Sequence, residues 1–250
     1  MTAALPDLAP LAWALLAIAA LIVGFSKTAI PGSNTFSIAI FAAVLPARAS
    51  TGALLLLLII GDVFALISYR RHADWKTLLK LIPAVVVGVA LGAVFLAFAN
   101  DAWVRRLIGA ILLLVIAFTL WQRRKPPAEG GPGSARIARA GYGSLGGFTT
   151  MVANAGGPVM SMYFLAARFP VKAFLGTAAW FFAVINLAKV PVSVGLGLIT
   201  LQSLLLDLLL VPGVIIGALL GRWAASRIPQ RSFDWAVIVF TTIGAVYLLL

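Results

Sequence analysis

Six stretches of this chain run for about 20 residues or more on apolar side chains with scarcely a charge: roughly 48–69, 77–99, 102–121, 171–190, 201–222 and 230–250. As helices rising about 1.5 Å per residue, each covers the roughly 30 Å hydrocarbon core of a bilayer. None shows the period-two alternation of a barrel strand, and only helices or closed barrels satisfy their backbone in lipid. An all-α polytopic membrane protein is therefore expected. A chain of 250 residues that is 62% hydrophobic and 10% charged has no second way to bury its apolar surface.

The remaining composition excludes several function classes. The net charge of +12 falls in short loops instead of one basic face, so it describes topology and not nucleic-acid binding. With no cysteine and one histidine, the chain lacks a disulfide, a thiolate nucleophile and the usual ligands of a metal site. Its seven acidic residues are scattered without a catalytic cluster, so neither an enzyme nor a cofactor is expected. Lys27 is the first basic side chain, a poor signal-peptide pattern, which keeps residues 11–25 in the mature protein.

Two segments occur twice. Pro46-Ala47-Arg48-Ala49-Ser50-Thr51-Gly52 returns as Pro170-Val171-Lys172-Ala173-Phe174-Leu175-Gly176, and Ile82-Pro83 through Gly88 and Gly92 returns as Val211-Pro212 through Gly217 and Gly221. The Pro/Gly/Ser-rich, basic stretch 122–139 separates the copies as a cytoplasmic linker, giving a first repeat at 1–121 and a second at 140–250. Each half opens on a pair of short apolar segments, 11–25 with 33–45 and 140–152 with 157–167, none of which crosses comfortably alone. Each pair is a re-entrant hairpin or two distorted crossings, followed by three full spans. Either way each half crosses an odd number of times, so the two repeats are inverted. The positive-inside rule puts the linker, Arg70, Arg71, Lys76, Arg168, Lys172, Arg222, Arg227 and Arg231 in the cytoplasm and both termini in the periplasm; Arg48, Arg105 and Arg106 are exceptions.

Paired, interrupted segments at corresponding places in two halves point to a transporter's binding site. The two tips read Gly24 to Thr35 and Gly147 to Pro158, and a spacing of 124 residues sets Ser26 opposite Thr150, Lys27 opposite Met151 and Gly32 opposite Gly156. Gly32-Ser33-Asn34 and Gly156-Gly157-Pro158 have the residues of helix starts, whose unpaired N–H groups and positive dipole end favour an anion. Hydroxyls of Ser26, Thr28, Thr149 and Thr150 and amides of Asn34 and Asn154 replace the water such an anion loses, and Lys27 offers a full charge. The same small polar residues are also what close helix packing in a membrane selects, and Lys27 is equally a candidate for snorkelling.

Asp62 interrupts an apolar span, and the same spacing places Asn186 opposite it. A carboxyl and an amide at matching depths suit proton coupling, or a plain hydrogen bond between helices with Lys27 or Lys189 as partner. His72 is expected in a solvated loop, Asp74 at a helix cap, Asp207 at the headgroup boundary, and Trp75, Trp103, Trp121 and Trp235 in an interfacial belt.

Taken together, the broken segment Gly24 to Asn34, the loop His72-Ala73-Asp74-Trp75 with the Gly-rich span after it, and the segment Gly147 to Pro158 resemble the TauE/SafE family of sulfite exporters. The resemblance covers nearly the whole chain, and Ser26-Lys27-Thr28 departs from the family's more glycine-rich first tip. It implies transport, as an exporter, of sulfite or a related sulfur-containing or organosulfonate anion across the inner membrane. Alternating access with proton coupling is the expected mechanism. A passive anion channel and a non-transporting assembly subunit stay open as alternatives. The expected partners are a small anion and the lipid bilayer, without nucleic acid, and a homodimer is left open.

Overall fold

The computed structural model describes residues 8–100 and 132–229, with Pro6 and positions 102–104, 106, 107, 110, 231–233, 235, 236 and 239. Most of the expected spans 102–121 and 230–250, and residues 122–131 of the expected linker, lie outside the described residues. Within them the chain is all α. The helices are α1 (Pro10–Thr28), α2 (Asn34–Val44), α3 (Ala47–Tyr69), α4 (Trp75–Phe98), α5 (Pro132–Ala153), α6 (Gly156–Ala166), α7 (Val171–Gly195) and α8 (Leu201–Ala225). Five stretches, at 10–28, 47–72, 75–98, 171–195 and 201–225, are long and apolar enough to cross a bilayer, so this is a multi-pass membrane protein.

Local chemistry sets the boundaries. Proline occupies the residue before α3 (Pro46) and before α7 (Pro170), and the first position of α1 (Pro10), where its missing N–H removes no helical bond. Asp74 caps α4 as expected, its carboxylate accepting from Thr77 N at 3.1 Å and from the Thr77 hydroxyl at 2.8 Å. Thr200 and Ser203 form a reciprocal capping box at the start of α8.

Two expectations about lengths need correction. The first arm of each broken pair is longer than the sequence suggests: α1 runs through Lys27 to Thr28, 19 residues and about 28 Å, and α5 has 22 residues and about 33 Å. A lysine normally ends an apolar run, but Lys27 is paired inside the protein and the helix continues past it. α5 also starts at Pro132, so residues 132–139 are its first turns and not linker.

Long-range packing exchanges partners between the halves. α1 lies along α8 and α5 lies along α4, each pair parallel, because the contacts rise together: Ala17 and Leu21 meet Gly213, Leu21 and Phe25 meet Gly217, and Phe25 and Thr28 meet Gly221. In the other pair Leu81 and Ala84 meet Gly143, Ser144 and Phe148 meet Gly88, and Met151 meets Gly92. Glycine is needed because the backbones touch. A Cβ on Gly24 would overlap the carbonyl oxygen of Val214, and one on Gly147 that of Val85.

These equivalent contacts also correct the alignment of the tips. Gly147 lies 123 residues after Gly24 and plays its part, so Lys27 corresponds to Thr150 and not to Met151. α3 and α7 cross antiparallel between the two pairs, joined at Gly52 with Leu198, at Asp62 with Asn186 and at Tyr69 with Gly176.

Candidate functional site

The breaks at Ala29–Ser33 and Asn154–Ala155 bring the two tips together, close enough that a Cβ on Gly157 would stand 3.0 Å from Pro31 O. Between the tips and the α3–α7 crossing is a cavity lined by Ser26, Lys27, Pro31, Asn34, Leu58, Asp62, Thr150, Asn154, Gly157, Ala178, Ala179, Phe182 and Asn186. Its space for water centres is about 20 Å³, room for one or two waters.

Two linked charge clusters organise it. In the first, Lys27 Nζ lies 2.6 Å from Asp62 Oδ1, Asn186 Nδ2 donates to Asp62 Oδ2 at 2.6 Å, and the Lys27 ammonium sits 4.6 Å from the Phe182 ring centroid. Asp62 is 1% exposed, and only its pairing makes a carboxylate tolerable at such depth. In the second, Lys189, fully buried, donates to Thr150 O at 2.5 Å and to Asn154 Oδ1 at 2.6 Å. A cation suits the negative end of the α5 dipole, where Thr150 O also accepts from Asn154 N at 3.1 Å.

Six of the proposed substrate residues line the cavity: Ser26, Lys27, Asn34, Thr150, Asn154 and Gly157; so do Asp62 and Asn186. The others stand behind it. Thr28 donates to Gly24 O and Ala218 O and so binds α1 to α8; Ser33 donates to Ile30 O and Thr149 to Gly146 O, while Gly32 and Gly156 are buried in the turns. Asn154 has a positive φ of 56°, a conformation asparagine tolerates, and both ends of its amide are engaged, Oδ1 by Lys189 and Nδ2 by Thr51 O. Its side chain therefore fastens the second tip instead of facing a ligand.

Asn34 differs: its buried Oδ1 lacks a hydrogen-bond partner among the described residues, as does Oδ1 of Asn186. An amide turned about its axis exchanges acceptor for donor, so Asn34 suits an oxygen-bearing ligand, whereas Asn186 is held by its bond to Asp62. The helix starts of α2 and α6 reach the cavity at Asn34 and Gly157, and neither has a side-chain cap. At α2 the Asn34 N–H donates to Pro31 O and Gly32 O of the preceding turn.

Lys189 as the organiser of the second tip escaped the sequence argument, which offered it only as a partner for Asp62. A lone lysine within an apolar run, between Ala188 and Val190, is the signal that locates it. Asp207, expected at the headgroup boundary, is buried within the protein near the start of α8. It is 4% exposed, and neither carboxylate oxygen has a hydrogen-bond partner among the described residues. A second, larger groove of about 400 Å³ between α4 and α7 is lined by apolar and aromatic side chains from Trp75 to Val192 and offers no charge to an anion.

The fold and its site define a multi-pass membrane protein with a small, charged cavity between two interrupted helix pairs. A family model described as sulfite exporter TauE/SafE matches residues 16–248, and the chain belongs to that family, which is linked to export of sulfite and related sulfur anions across a membrane. Comparison with curated proteins and with solved structures gives no match.

Proposed function

We propose that this protein is a secondary carrier of sulfite or a related sulfur-containing anion, working by alternating access between two inverted repeats, and not an enzyme. The observation that carries this is the cavity itself: two hairpin tips from opposite halves close on a space for one or two waters, walled by the Lys27–Asp62 pair and two helix N-termini. The exchange of partners, α1 with α8 and α5 with α4, supports the inverted duplication, since a quasi-twofold relation makes each contact occur twice.

In this reading an anion separates the tips, accepts hydrogen bonds from the first turns of α2 and α6 and from Asn34 and Thr150, and competes with Asp62 for Lys27. Protonation of Asp62 frees Lys27 for the anion, which couples the proton to the load. A passive channel is the alternative, and a cavity of only about 20 Å³ between closely packed tips favours the carrier over it. We place the protein in the inner membrane with residues 122–131 cytoplasmic and the termini periplasmic. Flux of labelled sulfite into proteoliposomes is the test: accumulation against its gradient when a proton gradient is imposed is expected, and flux that only ever equilibrates would leave a channel.

A further inference from the structure

The two halves anchor their tips in the same way with different charge. In the first half a residue of α1 (Lys27) reaches α3 (Asp62), and in the second Thr150 of α5, which corresponds to Lys27, is reached by Lys189 of α7. The first connection is neutral as a pair. The second is a cation whose hydrogen-bond acceptors, Thr150 O and Asn154 Oδ1, are uncharged. The charged groups that act on Asp62 are Lys27 from α1 and Lys189 from α7. α2 brings no titratable side chain, the tip of α5 brings Thr150 and Asn154, and α8 carries Asp207 and Arg222 toward its two ends. With both lysines protonated, the cluster holds one net positive charge with Asp62 ionised and two with Asp62 protonated.

We propose that Lys189 supplies the uncompensated charge of this cavity, acting through Thr150 and Asn154, and that the cluster consequently loads a doubly charged oxyanion together with one proton, or a singly charged one with none. Burial in a low-dielectric interior penalises net charge, so the occluded complex is the one whose charges cancel. Two positive charges match a dianion once Asp62 is protonated, and one matches a monoanion with Asp62 ionised. The partial charges at the two helix starts favour either anion and do not change with protonation. This inference rests on the anion-carrier reading and specifies its substrate charge and proton count.

The chemistry is testable with two sulfur anions of fixed charge, thiosulfate and methanesulfonate, in proteoliposomes that report both anion uptake and proton movement. The wild type is expected to move about one proton with thiosulfate and none with methanesulfonate. Lys189→Gln keeps donors for Thr150 and Asn154 while removing the charge; thiosulfate affinity should fall at least about tenfold, and methanesulfonate should now require a proton. Asp62→Asn, with Lys189 intact, fixes the cluster at two charges and is expected to prefer thiosulfate and move it without a proton. A folded Lys189→Gln protein with unchanged thiosulfate affinity and proton count overturns the proposal, and so does an Asp62→Asn protein that prefers methanesulfonate, even if the lysine variant fails to fold. A wild type that carries neither of these anions but does carry sulfite overturns the charge-matching proposal alone, and one that carries none of the three removes the carrier reading itself.

Discussion

Asn186 Nδ2 donates to Asp62 Oδ2 across 2.6 Å, joining the two residues that a spacing of 124 sets opposite each other in the duplicated sequence. In the proposed inverted duplication, counterparts that touch lie on the quasi-twofold axis, which would run through the α3–α7 crossing. Removing the donor leaves a buried carboxylate oxygen unpartnered. Asn186→Leu is expected to cost about 1–3 kcal/mol, measured by denaturant unfolding in detergent micelles.

The Lys27–Asp62 ion pair makes Lys27→Met a harsher change than its uncharged product suggests. It strands Asp62 as an uncompensated buried charge, at about 3–5 kcal/mol. Adding Asp62→Asn removes that charge and should recover most of the loss. If the double variant proves no more stable than Lys27→Met in the same unfolding assay, the pair is not what the single substitution disrupts.

Gly217 packs against the backbone of Leu21 without room for a Cβ. Gly217→Val must push α8 from α1, so a loss of about 1–3 kcal/mol or more is expected. Gly195 has open space around it and provides the control: Gly195→Ala should leave the melting temperature essentially unmoved.

Asp74 lies in the loop before α4. Its partial burial pushes the carboxyl up, but hydrogen bonds from Thr77 outweigh that and hold it below the usual carboxylate range. A depressed folded-state value contributes stability above the unfolded value near about pH 4 and loses it as the pH falls through the folded one. Asp74→Ala should therefore be less stable than wild type by about 1 kcal/mol at neutral pH, and the difference should close in acid. A pH series of thermal unfolding checks it. Transport should be unaffected.

The contact between Pro31 and Gly157 predicts that the tips must separate for transport. The chain has no cysteine, so Pro31→Cys with Gly157→Cys creates an unambiguous pair. Oxidation should arrest anion flux and reduction restore it; undiminished flux through the oxidised protein would show that the tips stay together during transport.

Much of the described architecture is legible in the sequence because the bilayer permits so few solutions. Apolar runs mark α3, α4, α7 and α8, and the Gly/Pro breaks mark both tips. Asp62 with Asn186 follows from repeat spacing alone. What the sequence hides is whatever depends on side-chain partners. The length of α1 turned on the neutralisation of Lys27 by a residue 35 positions away, and Asn154 looks like a ligand donor until Lys189 and Thr51 occupy its amide. The alignment of the tips slipped by one residue because the spacing of 124 between Pro46 and Pro170, carried back to the tips, sets Gly24 opposite Phe148; only the backbones that Gly24 and Gly147 press against reveal a spacing of 123.

The pairing of α1 with α8 also constrains how the chain comes to be built. The face of α1 that carries Ala17, Leu21, Gly24 and Phe25 waits for a helix whose contacting residues, Gly213 to Gly221, are synthesised nearly 200 positions later. At roughly 5–20 residues per second that is an interval of about 10–40 s. During it Lys27 soon has Asp62 beside it, but Gly24 and Leu21 face lipid or an insertion factor. α1 is therefore made long before its partner α8, and variants that weaken their contact, such as Gly24→Val, should fail in biogenesis before they fail in transport.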